Sequence, residues 1–150
     1  MYASAGLSRR AAALEQSGRL VTRIASRIRY TAQPVGEILS EVSGEFTGLR
    51  FLPELLRILQ EGTDFPSAWR RALEVKGAEC GLNGKDRELL RGYGEGLGKT
   101  DVEGQMEHCR LYETLIGEQL EEARREAAVK GRLYVTLGTA GGLGAALLLL

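Results

Sequence analysis

With 150 residues, twenty basic against twenty acidic side chains and a single histidine, the chain has the size of one domain and no net charge. That balance argues against a nucleic-acid binder, although the spread is uneven: residues 1–30 hold six arginines against Glu15 alone. Cys80 and Cys109 lack the paired spacing of a zinc ribbon or redox motif and read as reduced thiols, with a disulfide left open, and the lone His108 has no supporting constellation for a metal site or a general base.

The first helix is expected from about Ser8 to Tyr30, because Leu14, Val21, Ile24 and Ile28 recur at helical spacing. Arg19, Arg23 and Arg27 repeat every four residues on another face, which reads as a solvated row or one paired with acidic neighbours. Pro34, Pro53 and Pro66 then open three shorter helices, since proline tolerates the first turn, where its missing N–H has no partner anyway. Their expected core residues are Ile38, Leu39 and Val42, then Leu55, Leu56 and Leu59, then Trp69 and Leu73.

Residues 92–101, "GYGEGLGKTD", end in Gly98-Lys99-Thr100 and raise the question of a phosphate loop. The G-x-x-x-x-G-K-[ST] pattern requires glycine where Tyr93 stands, and no strand leads into the run. A helix through Leu89 and Leu97 that stops near Gly98 fits better, with Gly98 in the left-handed conformation. Thr100 and Glu103 then stand at capping-box spacing to start the next helix.

That helix is expected from about Asp101 to Lys130, its core stripe running Val102, Met106, Cys109, Tyr112, Ile116, Leu120, Ala123 and Ala127. Its opposite face carries Glu107, Glu118, Glu121, Glu122 and Glu126, an acidic candidate to lie beside the basic first helix. Residues 133–150, "LYVTLGTAGGLGAALLLL", contain no charge and read as a transmembrane helix, roughly 27 Å long at 1.5 Å per residue. Arg124, Arg125, Lys130 and Arg132 mark the preceding side as cytoplasmic. Gly138 and Gly142 form a GxxxG pair suited to close packing of membrane helices. No stretch alternates with period two, so the expected fold is all-α: an antiparallel helical bundle over residues 1–132 with a C-terminal transmembrane helix over 133–150.

Three stretches, "LLRGYGEGLGKTDVEGQMEHCRLYETLI", "RIRYTAQPVGEILSEV" and the terminal "RLYVTLGTAGGLGAALLLL", together resemble the stage III sporulation protein AB family. The most specific part is L-x-x-(aromatic)-G-x-x-L-G-x-(S/T)-D-x-x-x-Q, running from Leu90 through Gly94, Gly98 and Asp101 to Gln105, whose glycines mark a junction between two helices in that family. The resemblance implies a component of the sporulation channel assembly between mother cell and forespore, with a soluble domain similar to the cytoplasmic helical domain of type II secretion F proteins. It implies a location in the cell membrane on the mother-cell side. It also implies docking to an ATPase of the same operon, of the stage III sporulation protein AA type, and to other membrane proteins of the channel.

The family normally begins with a transmembrane helix, whereas "MYASAGLSRRAAALEQ" is too polar to span, so either the start is placed too far downstream or the C-terminus is the sole anchor. The expectation is a non-enzymatic docking protein without cofactor, catalytic residue, metal or nucleic-acid partner. Arg19, Arg23 and Arg27 with Glu121 and Glu122 are its candidate contact residues, and Gly138 and Gly142 its packing residues in lipid. The alternative is a tail-anchored protein binding nucleic acid through the N-terminal arginines, or nucleotide through Lys99 and Thr100.

Overall fold

The computed structural model describes the backbone of residues 2–149 and the side chains of residues 6–130. Among the described residues six α-helices follow one another: α1 (Tyr2–Tyr30), α2 (Val35–Val42), α3 (Phe51–Gln60), α4 (Phe65–Lys76), α5 (Gly84–Gly96) and α6 (Val102–Leu149), with single 3₁₀ turns at Ser43–Glu45 and Ala78–Cys80. No strand occurs among the described residues, as the absence of period-two alternation predicts. α1 and α6 run antiparallel, since Arg10 meets Glu126, Glu15 meets Arg124 and Thr22 meets Glu113. The four shorter helices complete the bundle, α3 packing on α4, α4 on α5 and α5 on α6.

The helix starts follow local chemistry. Asp64 caps α4 by accepting the Ser67 N–H at 3.1 Å, with Pro66 in the first turn. Asn83 and Asp86 form a capping box at the start of α5, each side chain accepting the other's backbone N–H. α5 ends at Gly96, and Gly98, at φ +77°, makes the left-handed turn into α6.

The start of α6 differs from the expected Thr100–Glu103 box: Asp101 is the cap, its Oδ1 accepting the Gly104 N–H at 2.8 Å and the Thr100 hydroxyl at 3.1 Å. A carboxylate one residue nearer the helix outcompetes the hydroxyl for the free N–H groups, and those bonds hold the Asp101 carboxyl below its usual pKa. Asp101→Ala is expected to lower the midpoint of a denaturant titration, and Thr100→Ala to lower it distinctly less.

Every expected core residue of α1 is buried, as are Ile38, Leu39, Val42, Leu55, Trp69 and Leu73. Leu56 and Leu59 are half-buried, and Ile58 takes the inner position instead, because α3 begins at Phe51, two residues ahead of Pro53, and its inward stripe is Phe51, Leu52, Leu55 and Ile58. On α6, Cys109, Ile116 and Ala123 are buried while Val102, the first residue of the helix, is 46 % exposed. Cys80 and Cys109 are both free and buried.

Among the described residues no helix is long and apolar enough to cross a membrane. The expected span over residues 133–150, with Gly138 and Gly142, lies outside the residues whose side chains are described.

Candidate functional site

Most of the residues in the most specific motif are consumed by architecture. Leu90 is buried and its carbonyl accepts the Trp69 indole N–H at 2.7 Å. Tyr93 is fully buried, and its carbonyl accepts from His108 Nε2, so Nε2 carries the proton. The His108 ring stacks on Tyr93 with centroids 5.5 Å apart, which places the lone histidine in a packing role. Burial, with Cys109 Sγ 3.5 Å away, pushes the Tyr93 hydroxyl well above its ordinary pKa, and burial raises the Cys109 thiol.

Gly94 lies inside α5, not at the helix junction that the resemblance implies; a Cβ there would stand 2.2 Å from the Trp69 ring. Gly92 and Gly96 press in the same way on Tyr112 and His108. The glycine spacing thus serves close approach of one helix to three rings: residues 92–96 of the run lie in α5, and the Gly98 N–H beyond it donates to Gln105 Oε1. Gln105 closes the motif by clamping the turn, its Oε1 accepting the Gly98 N–H and its Nε2 donating to the Thr100 carbonyl.

A second polar node was not legible in the sequence. Asp86, fully buried, accepts from Arg10 Nε at 2.7 Å, Arg10 Nη2 at 3.1 Å and Gln119 Nε2 at 2.9 Å, as well as from the Asn83 N–H at 3.1 Å. Burial penalises its charge most, yet the bonds from Arg10, Gln119 and Asn83 together outweigh it and hold the carboxyl below the usual range. The Asp86 bond likewise raises Arg10, whose Nη1 also reaches Glu126 at 3.3 Å. The node ties α1, α5 and α6 together; its only trace in the sequence is the Asn83-x-x-Asp86 capping spacing.

The candidate contact residues separate. Arg19 and Arg23 line one long cleft of about 920 Å³ between α1, α6 and the 3₁₀ turn. Leu14, Phe46, Ile116 and Leu120 form its apolar floor, and Gly18 and Gly117 keep it open. The arginine row does not pair with the acidic face of α6: Arg19 binds Glu15 at 2.7 Å, Arg23 binds Glu45 at 3.2 Å, and Arg27 binds Glu41 and Gln33. These partners come from α1 itself and from the α2 segment folded against it, which reach the row before α6 does. Glu121 is exposed and Glu122 half-buried, and neither lines the cleft. Arg27 also lies off it, wedged between α1 and α2.

A smaller pocket of about 560 Å³ opens at the far end of the bundle, where the α1–α2 link, the start of α4 and the α5–α6 turn meet. Among the described residues no group of three or more His, Cys, Asp or Glu side chains is arranged to hold a metal ion.

The fold and these clefts define an all-helical bundle whose open surfaces are grooves between helices. Over residues 1–150 the sequence matches the stage III sporulation protein AB family, and the chain belongs to that family. No curated protein and no solved structure matches it.

Proposed function

We propose that this protein is a membrane-anchored, non-enzymatic docking component of the sporulation channel assembly between mother cell and forespore. In this reading it holds a rigid helical domain at the cytoplasmic face and receives there an ATPase of the same operon, of the stage III sporulation protein AA type. The ATP chemistry belongs to the partner. The observation that carries the reading is the long cleft, where an apolar floor runs beneath Arg19 and Arg23 at their ion pairs with Glu15 and Glu45. A surface of that kind suits a protein partner: apolar area supplies affinity and rim charges supply register. The uncharged residues 133–150, following Arg124, Arg125 and Lys130, support anchorage in the membrane. Because α1 and α6 are antiparallel, α1 begins at the end of the bundle where α6 leaves it, which fits a domain held from one side.

The test is a titration of the full chain in detergent against the purified ATPase, with and without ATP. Wild type is expected to bind saturably, and Arg19→Glu with Arg23→Glu to weaken binding at least ~10-fold. Exposed ion pairs contribute about 0–1 kcal/mol each, so the double variant stays folded. Gly117→Phe supplies an independent block, because the position has open space above it in the cleft. No wild-type binding at tens of micromolar, or equal binding by all three proteins, would sink the reading.

A further inference from the structure

α5 and α6 are joined by a short turn that fixes their mutual register: Gln105 holds both the Gly98 N–H and the Thr100 carbonyl, and His108 stacks on Tyr93 while donating to its carbonyl. α1 has no such tether, since residues 31–101 lie between it and α6. Its place along the α5–α6 pair must be set by side chains.

The apolar side chains do not set it. On α1, Leu20, Ile24 and Ile28 recur every four residues and Val21 is followed by Ala25, so a slide of one turn exchanges one aliphatic group for another. On α6, buried Ile116 has half-buried Tyr112 and Leu120 one turn to either side, so an apolar group is again on offer after the slide. Glu15 with Arg124 and Thr22 with Glu113 also join the two helices, but at solvent-facing positions, where such bonds weigh little.

The buried node behaves differently. A one-turn slide sets Gly6 or Leu14 against Asp86 in place of Arg10. The fully buried carboxylate would lose both guanidinium bonds and keep only Gln119 Nε2 and the Asn83 N–H, and Arg10 would lose its main partner. A polar group at an inward position of packed helices selects one register in this way, at a cost in stability.

We infer that Arg10, Asp86 and Gln119 are positioning residues that lock α1 in one register on the α5–α6 pair, and thereby hold the long cleft open. In that register Gly18 stands against Ile116, its Cβ position 3.7 Å from Cγ2, and Gly117 beside it has free space. A slide of one turn brings Leu14 or Thr22 to the level of Gly18 and closes the gap between the helices. The consequence for docking rests on the proposed role of the cleft, whereas the register is measured in the protein alone, so either can fail without the other.

The experiment is a spin-label distance measurement on the full chain in detergent, with labels on Arg29→Cys and Glu121→Cys, both exposed, in a Cys80→Ala, Cys109→Ala background. The labels stand roughly 20 Å apart along the bundle axis, so a one-turn slide moves their separation by about 5 Å. The background protein is expected to give a single distance. Arg10→Met with Asp86→Leu and Gln119→Leu, which replaces the node by apolar groups, is expected to stay folded by circular dichroism and to gain a second, displaced population. Ile116→Val, which loosens the apolar seam and leaves the node intact, is expected to keep the single distance.

A folded triple variant with the background distance overturns the inference. Loss of folding in the triple variant also overturns it, by making the node a source of stability and not of register. A second population in Ile116→Val overturns it by assigning the register to apolar packing.

Discussion

Asp86→Ala is expected to destabilise the bundle by about 3–5 kcal/mol, because it leaves the Arg10 guanidinium buried without its main partner. The loss extends beyond one ion pair. The same carboxylate accepts from Gln119 and completes the Asn83 capping box, so α1, α6 and the start of α5 lose a common anchor together. Asp86→Asn keeps the shape and part of the bonding and is expected to cost less. The double variant Arg10→Met with Asp86→Leu, which removes both buried charges, is expected to regain part of the loss, since apolar replacements of a buried pair are often neutral.

The pH dependence follows from the sign of the shift. Asp86 has a lower pKa folded than unfolded, so its contribution is present above the unfolded value of about 4 and fades as pH falls through the lower, folded value. Urea titrations at neutral pH and below pH 4 should therefore show wild type losing more stability on acidification than Asp86→Asn. Equal losses in the two proteins would mean that Asp86 does not contribute through its charge.

Gly94→Ala is the second change with a large expected effect, about 1–3 kcal/mol and towards the upper end, although alanine favours helix. The added Cβ would lie 2.2 Å from Trp69 Cδ1 and Nε1, and the ring has nowhere to go. Its indole N–H is bonded to the Leu90 carbonyl, and Phe51 packs edge-on with centroids 5.3 Å apart. Gly117→Ala is the internal control: no atom lies within 4 Å of its Cβ, so the substitution is expected to be neutral or stabilising. Adding Trp69→Phe to Gly94→Ala should cost less than the sum of the single changes, because the smaller ring makes room for the methyl group. Thermal unfolding of the four proteins checks this, and strict additivity would mean that Gly94 and Trp69 are not in contact.

The helices, and most of their inward faces, were legible because each is written locally, the stripe of α3 excepted. Leu14, Val21, Ile24 and Ile28 repeat with the helical period, Pro66 follows the capping Asp64, and Gly98 supplies the one conformation that the α5–α6 turn needs. Family membership was legible for a related reason, since the motif from Leu90 to Gln105 encodes one helix junction in contiguous residues. What the glycines touch was not legible. Gly94 meets Trp69 from twenty-five positions earlier, and nothing in "GYGEG" says which ring will lie against it. The arginine row shows the same limit: period four placed Arg19, Arg23 and Arg27 on one face, but the path of the chain after Pro34 chose Glu41 and Glu45 as partners over the acids of α6.

The sequence by itself determined the all-α class, the order of the helices, the inward face of α1 and the family, because short-range periodicity and capping act over a few residues, whereas the inward stripe of α3 depended on where that helix starts. Only the tertiary structure decided the Arg10–Asp86–Gln119 node, the division of the candidate contacts between a cleft and its surroundings, and the pocket where the α1–α2 link meets the α5–α6 turn. Each of these joins residues tens of positions apart. Their charges and shapes acquire partners only when the helices pack, and that packing is a property of the whole chain.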